Sequence, residues 1–320
     1  MKPHLVLLDS FAMNPGDLDV SPLQNLGEVT DYHRTTPQQV VKRSLEADVL
    51  IINKIKITED LLDKLPRLKM ICVSATGYNI VDIEAAKKRN ILVCNAPDYS
   101  SSSVAQMVFS LLLHVTNNVA HYEQNNHKGY WSNQPDFCYQ DYPTSELAGK
   151  TMGIIGMGTI GKRVARISLA MDMKVLALTS KPQHDLPNGV IKKDIQDLLS
   201  EADIVSLHCP QNIDTEHMIN TDTLALMKPS AILINTARGG LIDEQAVANA
   251  LQEGKLLAYA ADVMAQEPPP IHHPLLKLHN TFFTPHIAWA TIEARKRLFQ
   301  ICYDNIAAFL ANRPIHVVNI

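Results

Sequence analysis

Short apolar runs alternate with stretches of helical spacing from the start of the chain. His4 to Asp9, Gly27 to Tyr32, Asp48 to Ile52, Lys69 to Ser74 and Ile91 to Cys94 read as strands, and Thr36 to Glu46, Thr58 to Leu65 and Asp82 to Arg89 as the helices between them. Strands separated by single helices predict a parallel, doubly wound sheet. Ser100 to His127 then reads as one long helix, with serines able to cap its first amides and enough apolar surface, at Met107, Val108, Phe109 and Leu111 to Leu113, to be buried on much of its circumference. From Thr151 the alternation resumes, with strands beginning at Thr151 and Lys174 and running over Asp203 to Leu207, Ala231 to Ile234, Leu257 to Ala261 and Thr281 to Thr284. The last helix, Thr291 to Asn312, stops before Arg313 and Pro314. If it crosses back to complete the first layer, the first domain is discontinuous: residues 1–100 with 288–320 form one domain and residues 101–287 the other.

Between the long helix and the second unit, Gly129 to Pro143 is aromatic and broken by prolines. So much aromatic surface is expected to serve as a subunit contact or as cover for an active site. The plainer alternative is that the loop packs on its own domain.

One turn gives the second unit a purpose. The apolar run Thr151 to Ile155 leads directly into Gly156, Met157, Gly158, Thr159, Ile160 and Gly161, and Lys162 to Ala170 continues with helical spacing before the next strand. A G-x-G-x-x-G hexapeptide is weak evidence alone, but in this strand–turn–helix context it predicts a dinucleotide-binding βαβ unit. Gly156 permits the turn, Gly158 lets a pyrophosphate approach the helix N-terminus, and Gly161 allows close packing of the helix.

Composition narrows the remaining classes. With 320 residues, 46% hydrophobic and 19% charged, the chain has the material for about two cores. A net charge of −4 and the lack of a basic stripe argue against a nucleic-acid partner. No apolar run approaches the ~20 residues of a membrane span, and the first run is too short for a signal peptide. Cytoplasmic residence is the default expectation. Cys72, Cys94, Cys138, Cys209 and Cys302 are scattered and odd in number, as expected of reduced thiols and not of a disulfide framework or a zinc site.

In open α/β sheets ligands bind beyond the carboxyl ends of strands. Three successive strand ends offer Arg238 after Ala231 to Ile234, then Asp262 and Glu267, then His286. A guanidinium matches a carboxylate as a bidentate fork. Transfer of hydride at a carbinol carbon also needs a group that gives or takes the hydroxyl proton, and histidine titrates nearest neutrality. A carboxylate on the other ring nitrogen fixes the tautomer and favours the protonated ring, a role Glu267 can fill. Each residue alone is more economically a surface charge or a packed histidine; together, beside a dinucleotide turn, they predict an acid/base site. His272 and His273 are the only close histidine pair, adjacent residues point different ways, and no metal site is expected.

With Gly156 to Gly161, Asn235 to Gly240, Glu267 to Pro269 and Pro285 to Trp289 in view, the chain resembles the D-isomer-specific 2-hydroxyacid dehydrogenases over nearly its whole length. Pro135 to Tyr139 and Ile287 to Thr291 look most like the glycerate dehydrogenase (hydroxypyruvate reductase) branch. The resemblance implies a Rossmann nucleotide domain inserted into a flavodoxin-like substrate domain, and NAD(P)-dependent reduction of a small 2-oxo acid, hydroxypyruvate or glyoxylate, to the D-2-hydroxy acid. It implies that Arg238 binds the 2-oxo acid, that His286 is the general acid/base and that Glu267 supports it. Ala75, Thr76 and Gly77 would hold the carboxylate, Thr236, Ala237 and Asp262 would line the nicotinamide, and His208, Cys209 and Pro210 would pass near the adenosine. It further implies a homodimer.

One departure stands out. Where NAD-using relatives carry an acidic residue at the end of the second strand, this chain has Thr179, Ser180 and Lys181. Loss of the carboxylate removes the repulsion of a 2′-phosphate, and two hydroxyls with a lysine could bind it, so NADP is slightly favoured over NAD. Two alternatives share the fold: a nucleotide-sensing, corepressor-like binding protein, and a phosphoglycerate dehydrogenase.

Overall fold

The computed structural model describes residues 2–320, which form two compact units. The first comprises the described residues up to Ser100 together with Ala290–Ile320. Its strands are β1 (His4–Leu7), β2 (Glu28–Asp31), β3 (Val49–Ile52), β4 (Met70–Val73) and β5 (Leu92–Cys94), and its interleaved helices α1 (Pro37–Ser44), α2 (Glu59–Leu62) and α3 (Ile83–Lys88). The sheet runs β2-β1-β3-β4-β5 and every pairing is parallel, the flavodoxin-like order. All residues of β3 and β4 are buried, because helices cover both faces of a parallel sheet.

Local signals set the helix starts. Thr36 and Gln39 form a capping box around Pro37 in α1, and the Asp82 carboxylate accepts the Ala85 amide at the start of α3. The C-terminal helix, Ile292–Leu310, buries Leu298, Cys302 and Ile306 and packs on β4. Arg295 grips both oxygens of Asp17 at 2.6 Å, and Arg297 donates to the Tyr99 carbonyl. The end of the chain is thereby tied to the beginning.

The second unit spans Ser101–Trp289. It opens with α4 (Ser101–Asn117) and α5 (Val119–His127). Its strands are β6 (Thr151–Ile155), β7 (Lys174–Leu178), β8 (Val190–Lys192), β9 (Ile204–Leu207), β10 (Ile232–Asn235), β11 (Ala258–Ala261) and β12 (Thr281–Phe283); its other helices are α6 (Thr159–Ala170), α7 (Ile195–Glu201), α8 (Thr221–Leu224) and α9 (Glu244–Gln252). The order β12-β11-β10-β9-β6-β7-β8, all parallel, is that of a Rossmann sheet with one strand added. Along β10, Leu233 joins the core on one face while Ile232 and Ile234 join the other. The continuous apolar run in the sequence is the signature of that two-sided burial.

Three expectations need correction or refinement. Asn118, in the left-handed region at φ 52°, splits the predicted single helix into α4 and α5. Neither glycine nor proline marks the break, so spacing alone carried through it. β8 escaped the pattern because it is a three-residue edge strand with two exposed residues. The aromatic loop is anchored on its own unit: Tyr139 packs edge-on against Tyr122 and Tyr130, with ring centroids 5.4 and 5.0 Å away, and its hydroxyl bonds Asn126. The Trp131 indole donates to the Phe137 carbonyl, while the Phe137 ring itself is 89% exposed. Among the described residues, no helix is long and apolar enough to cross a membrane.

Candidate active site

Because all seven strands of the second sheet are parallel, their carboxyl ends share one edge. Gly156 follows β6, Thr179 follows β7, His208 follows β9, Arg238 follows β10, Asp262 follows β11 and His286 follows β12. The order of the strands reverses between β6 and β9, where a crevice opens for a ligand.

The glycine turn is shaped by that neighbour. Gly156 has φ +101°, and a Cβ there would lie 2.6 Å from the Cys209 amide nitrogen. A Cβ on Gly161 would collide with the Gly156 carbonyl oxygen, so the close approach expected of Gly161 is to the turn itself as well as to Ile154 on β6. At Gly158 an added Cβ meets nothing within 4 Å, and no side chain caps the start of α6. Thr159, Ile160 and Gly161 thus form an open first helical turn with its amides and the positive end of the dipole available to an anion.

At the other strand ends, Asn235 is fully buried and clamps the loop after β10. Its side chain donates to the Arg238 carbonyl at 2.9 Å and accepts the Ala237 amide at 3.0 Å. Arg238 is exposed, one of its guanidinium nitrogens donates to the Ala237 carbonyl at 2.7 Å, and among the described residues it forms no ion pair. Thr236 keeps a buried hydroxyl without a partner among the described residues.

His286 sits in the left-handed region at φ 55°, a strained position for a non-glycine residue. Four contacts hold it there. Its amide donates to the carbonyls of Asp262 and Thr284, its own carbonyl accepts the Trp289 indole at 2.9 Å, and its Nδ1 pairs with Glu267 at 2.6 Å. Asp262 is 1% exposed and spends its carboxylate on the same turn, accepting the Thr284 hydroxyl and the amides of Ile287 and Ala288. Burial pushes the Asp262 carboxyl above the usual carboxylate range, against the pull of those hydrogen bonds.

Comparison with known proteins agrees with this geometry. A family model for the D-isomer specific 2-hydroxyacid dehydrogenase NAD binding domain matches residues 109–288. The chain is 41% identical over 319 residues to hydroxypyruvate reductase from Blautia hydrogenotrophica, covering 98% of this chain and 99% of that protein. It is also 41% identical over 321 residues to glycerate dehydrogenase from Methylorubrum extorquens, 99% of each. A solved acyclic imino acid reductase in complex with NADPH and D-Arg superposes with a TM-score of 0.86 at 32% identity, covering 98% of this chain and 99% of that one.

This chain belongs to the D-isomer specific 2-hydroxyacid dehydrogenase family. As a member it is an oxidoreductase, and a nicotinamide dinucleotide is its cofactor. The residues present fit that cofactor: an uncapped helix start, open space over Gly158 and the orphaned Thr236 hydroxyl all lie at one edge of the sheet.

The structure brings Arg238, Glu267 and His286 to that edge. The His208 ring does not project as a polar group. Its Nε2 bonds Ser206 Oγ at 2.8 Å, its Nδ1 is buried without a partner among the described residues, and burial pushes its pKa down to about 3. Cys209 turns its thiol toward Met218, so His208 and Cys209 present backbone to the glycine turn, and Pro210 continues exposed beyond them. The Thr179 hydroxyl accepts the Lys181 amide at 3.2 Å, the Lys181 carbonyl accepts the Lys192 ammonium at 2.8 Å, and Ser180 is exposed. Ala75, Thr76 and Gly77 lie in the first unit after β4. There the Ala75 carbonyl accepts the Ala96 amide, the Thr76 carbonyl accepts the Asn95 side chain, and the Thr76 hydroxyl donates to the Ala96 carbonyl. Asn235, Thr284 and Trp289 shape the turns that carry Arg238 and His286 without having been singled out, since their contacts are visible only in the fold. Among the described residues, no cluster of His, Cys, Asp or Glu is arranged to hold a metal.

Proposed function

We propose that the protein reduces a small 2-oxo acid, hydroxypyruvate or glyoxylate, to the D-2-hydroxy acid. The observation that carries the reading is the His286–Glu267 pair, held at 2.6 Å on a left-handed turn with one strand, β11, between it and the arginine loop. When bound, the reduced nicotinamide supplies the hydride. Glu267 occupies Nδ1 of His286, which leaves Nε2 as the ring nitrogen that gives its proton to the substrate oxygen as the carbonyl carbon is reduced. Arg238, which forms no ion pair among the described residues, binds the substrate carboxylate and polarises the carbonyl. The first unit serves as the substrate domain. The carbonyls of its Ala75 and Thr76 are engaged within the unit, and the amides of Ala75, Thr76 and Gly77 are assigned to the substrate carboxylate.

For the cofactor, we infer that NADPH is used at least as well as NADH. Thr179, Ser180 and Lys181 replace the carboxylate that would exclude a 2′-phosphate. The protein is further expected to be a homodimer, with the exposed Phe137 and Trp131 rings of the aromatic loop as the surface that favours this.

Following NADH and NADPH absorbance against hydroxypyruvate, glyoxylate, pyruvate and phosphohydroxypyruvate tests both readings. The first two acids should be reduced with the highest kcat/KM. Absence of turnover with every acid would reject the reaction. Preference for phosphohydroxypyruvate would reassign the substrate. Replacing Lys181 by Asp should lower kcat/KM for NADPH by roughly tenfold or more and leave NADH little changed; an unchanged NADPH:NADH ratio would remove the basis for the cofactor preference.

A further inference from the structure

The loop after β11 carries two successive peptides held from three sides. The Met264 amide donates to Oε1 of Glu267 at 3.0 Å, whose other oxygen bonds His286. The next amide, that of Ala265, donates to Oε1 of Glu244 at 2.9 Å. On the third side lies Gly239, directly after Arg238, where a Cβ would collide with the Met264 carbonyl carbon and the Ala265 nitrogen. These two adjoining peptides, joined at Met264, are therefore the common mount for the carboxylate that pairs with His286 and for the backbone that carries Arg238.

Glu244 stands outside that trio, at the first position of α9. An acidic residue there has a bland explanation, since it favours the positive end of the helix dipole. The geometry asks for more. Asp243 already caps α9 by accepting the Gln245 and Ala246 amides, so the Glu244 carboxylate is free of that duty. It leaves the helix to reach a loop 21 residues away, and its second oxygen is fixed at 3.0 Å by Nε2 of His273. Both partners are largely withdrawn from solvent, with side chains 16% and 15% exposed. A carboxylate so placed, with both oxygens committed, has few ways to move.

We propose that Glu244 is a positioning residue for the acid/base pair, holding the Met264–Ala265 peptide, against which the Arg238 loop packs and which directly follows the Met264 amide that Glu267 accepts. This rests on the reading of His286 and Glu267 as that pair. Glu244 touches neither substrate nor reacting atoms; it acts by keeping Glu267 at the distance from His286 that proton transfer needs. Misplacement of a supporting group by about 1 Å can cost on the order of 10² in rate.

Four single variants and one double variant of the full chain test it, with kcat and KM for hydroxypyruvate and the Kd for NADPH measured on each. Glu244→Ala should lower kcat on the order of 10- to 100-fold and leave the NADPH Kd within about twofold, because the glycine turn lies elsewhere on the edge. Glu244→Asp keeps the charge at the helix start but lacks the reach to Ala265, and should fall with Ala. Glu244→Gln keeps an acceptor for the Ala265 amide and should recover most of the activity. Combined with Glu267→Gln, the Ala change should add little to the loss from Glu267→Gln alone, since its effect passes through that carboxylate.

Wild-type kcat in Glu244→Ala or Glu244→Asp, beside an impaired Glu267→Gln, would overturn the inference and leave the acid/base reading standing. A full additional loss in the double variant would do the same. Wild-type kcat in Glu267→Gln would defeat the acid/base reading and the inference with it. Should the Ala variant fail to fold, Asp and Gln still decide the matter, because both keep a polar side chain at the position.

Discussion

Each of the two sheets has a point where strand order reverses, and the two points are finished in opposite ways. In the first unit, β1 lies beside β3, and Asp9 at the end of β1 accepts the amides of Asn53, Lys54 and Ile55 at 2.8, 2.6 and 3.1 Å. The protein's own carboxylate fills the place where converging amides could have taken an external anion. In the second unit, β6 lies beside β9, and the turn there is built of glycines that leave the start of α6 uncapped and open. Shared topology thus yields a sealed edge and an anion site, and the difference is whether the chain supplies the negative charge itself.

The largest test of that contrast asks whether chemistry belongs to the open edge. His286→Ala should lower kcat by about 10²- to 10⁴-fold, the usual worth of a positioned acid/base group, with the NADPH Kd unchanged. Steady-state kinetics and a fluorescence titration read the two quantities separately. Wild-type turnover would remove His286 from the reaction.

A second change copies the sealed edge onto the open one. Gly158→Asp places a carboxylate at the N-cap of α6, where an added Cβ meets nothing within 4 Å. Dinucleotide affinity should drop roughly 100-fold, about the worth of charge-assisted hydrogen bonds lost to the phosphates, while the Tm holds or rises because the helix gains a cap. Undiminished affinity would show that the pyrophosphate lies elsewhere.

The smallest effect concerns the sealed edge itself. Asp9→Asn removes the Oδ2 acceptor of the Lys54 and Ile55 amides and should cost about 1–3 kcal/mol. Its pH dependence has a definite sign. Burial holds the Asp9 carboxyl above its ordinary value of 3.8, outweighing the amide bonds that favour the anion. The folded state therefore keeps the proton to higher pH than the unfolded chain, and the stability Asp9 contributes is fullest below 3.8 and declines as pH rises through the folded value. The Tm gap between wild type and Asp9→Asn should narrow from acid toward neutral pH and then level off; a gap that widens with pH would contradict the assigned burial.

Much of this was legible in the sequence because parallel strands buried on both faces leave a conspicuous apolar run. β3, β4 and β11 fall within the expected windows for that reason. β8 was not legible, since a short edge strand with Ile191 and Lys192 exposed carries no such run. Nor was the break at Asn118, where a residue other than glycine or proline takes the left-handed conformation. The aromatic loop was legible as a feature, yet its attachment to α5 through Tyr139 depends on rings brought together from different segments.

The sequence by itself determined two α/β layers, a glycine turn between a strand and a helix, and the residue types at three strand ends. These follow from local rules: side-chain period, glycine conformational freedom and the position of polar residues after apolar runs. Only the tertiary structure decided what those residues do to one another. Asp9 seals one edge by reaching amides 44 to 46 residues away, Trp289 and Asp262 hold His286 in a left-handed turn, and Glu244 steadies the peptide next to the Met264 amide that Glu267 accepts. A hydrogen bond is short-ranged and directional, so the partner of a carboxylate is set by where the fold brings an amide, which spacing along the chain does not encode.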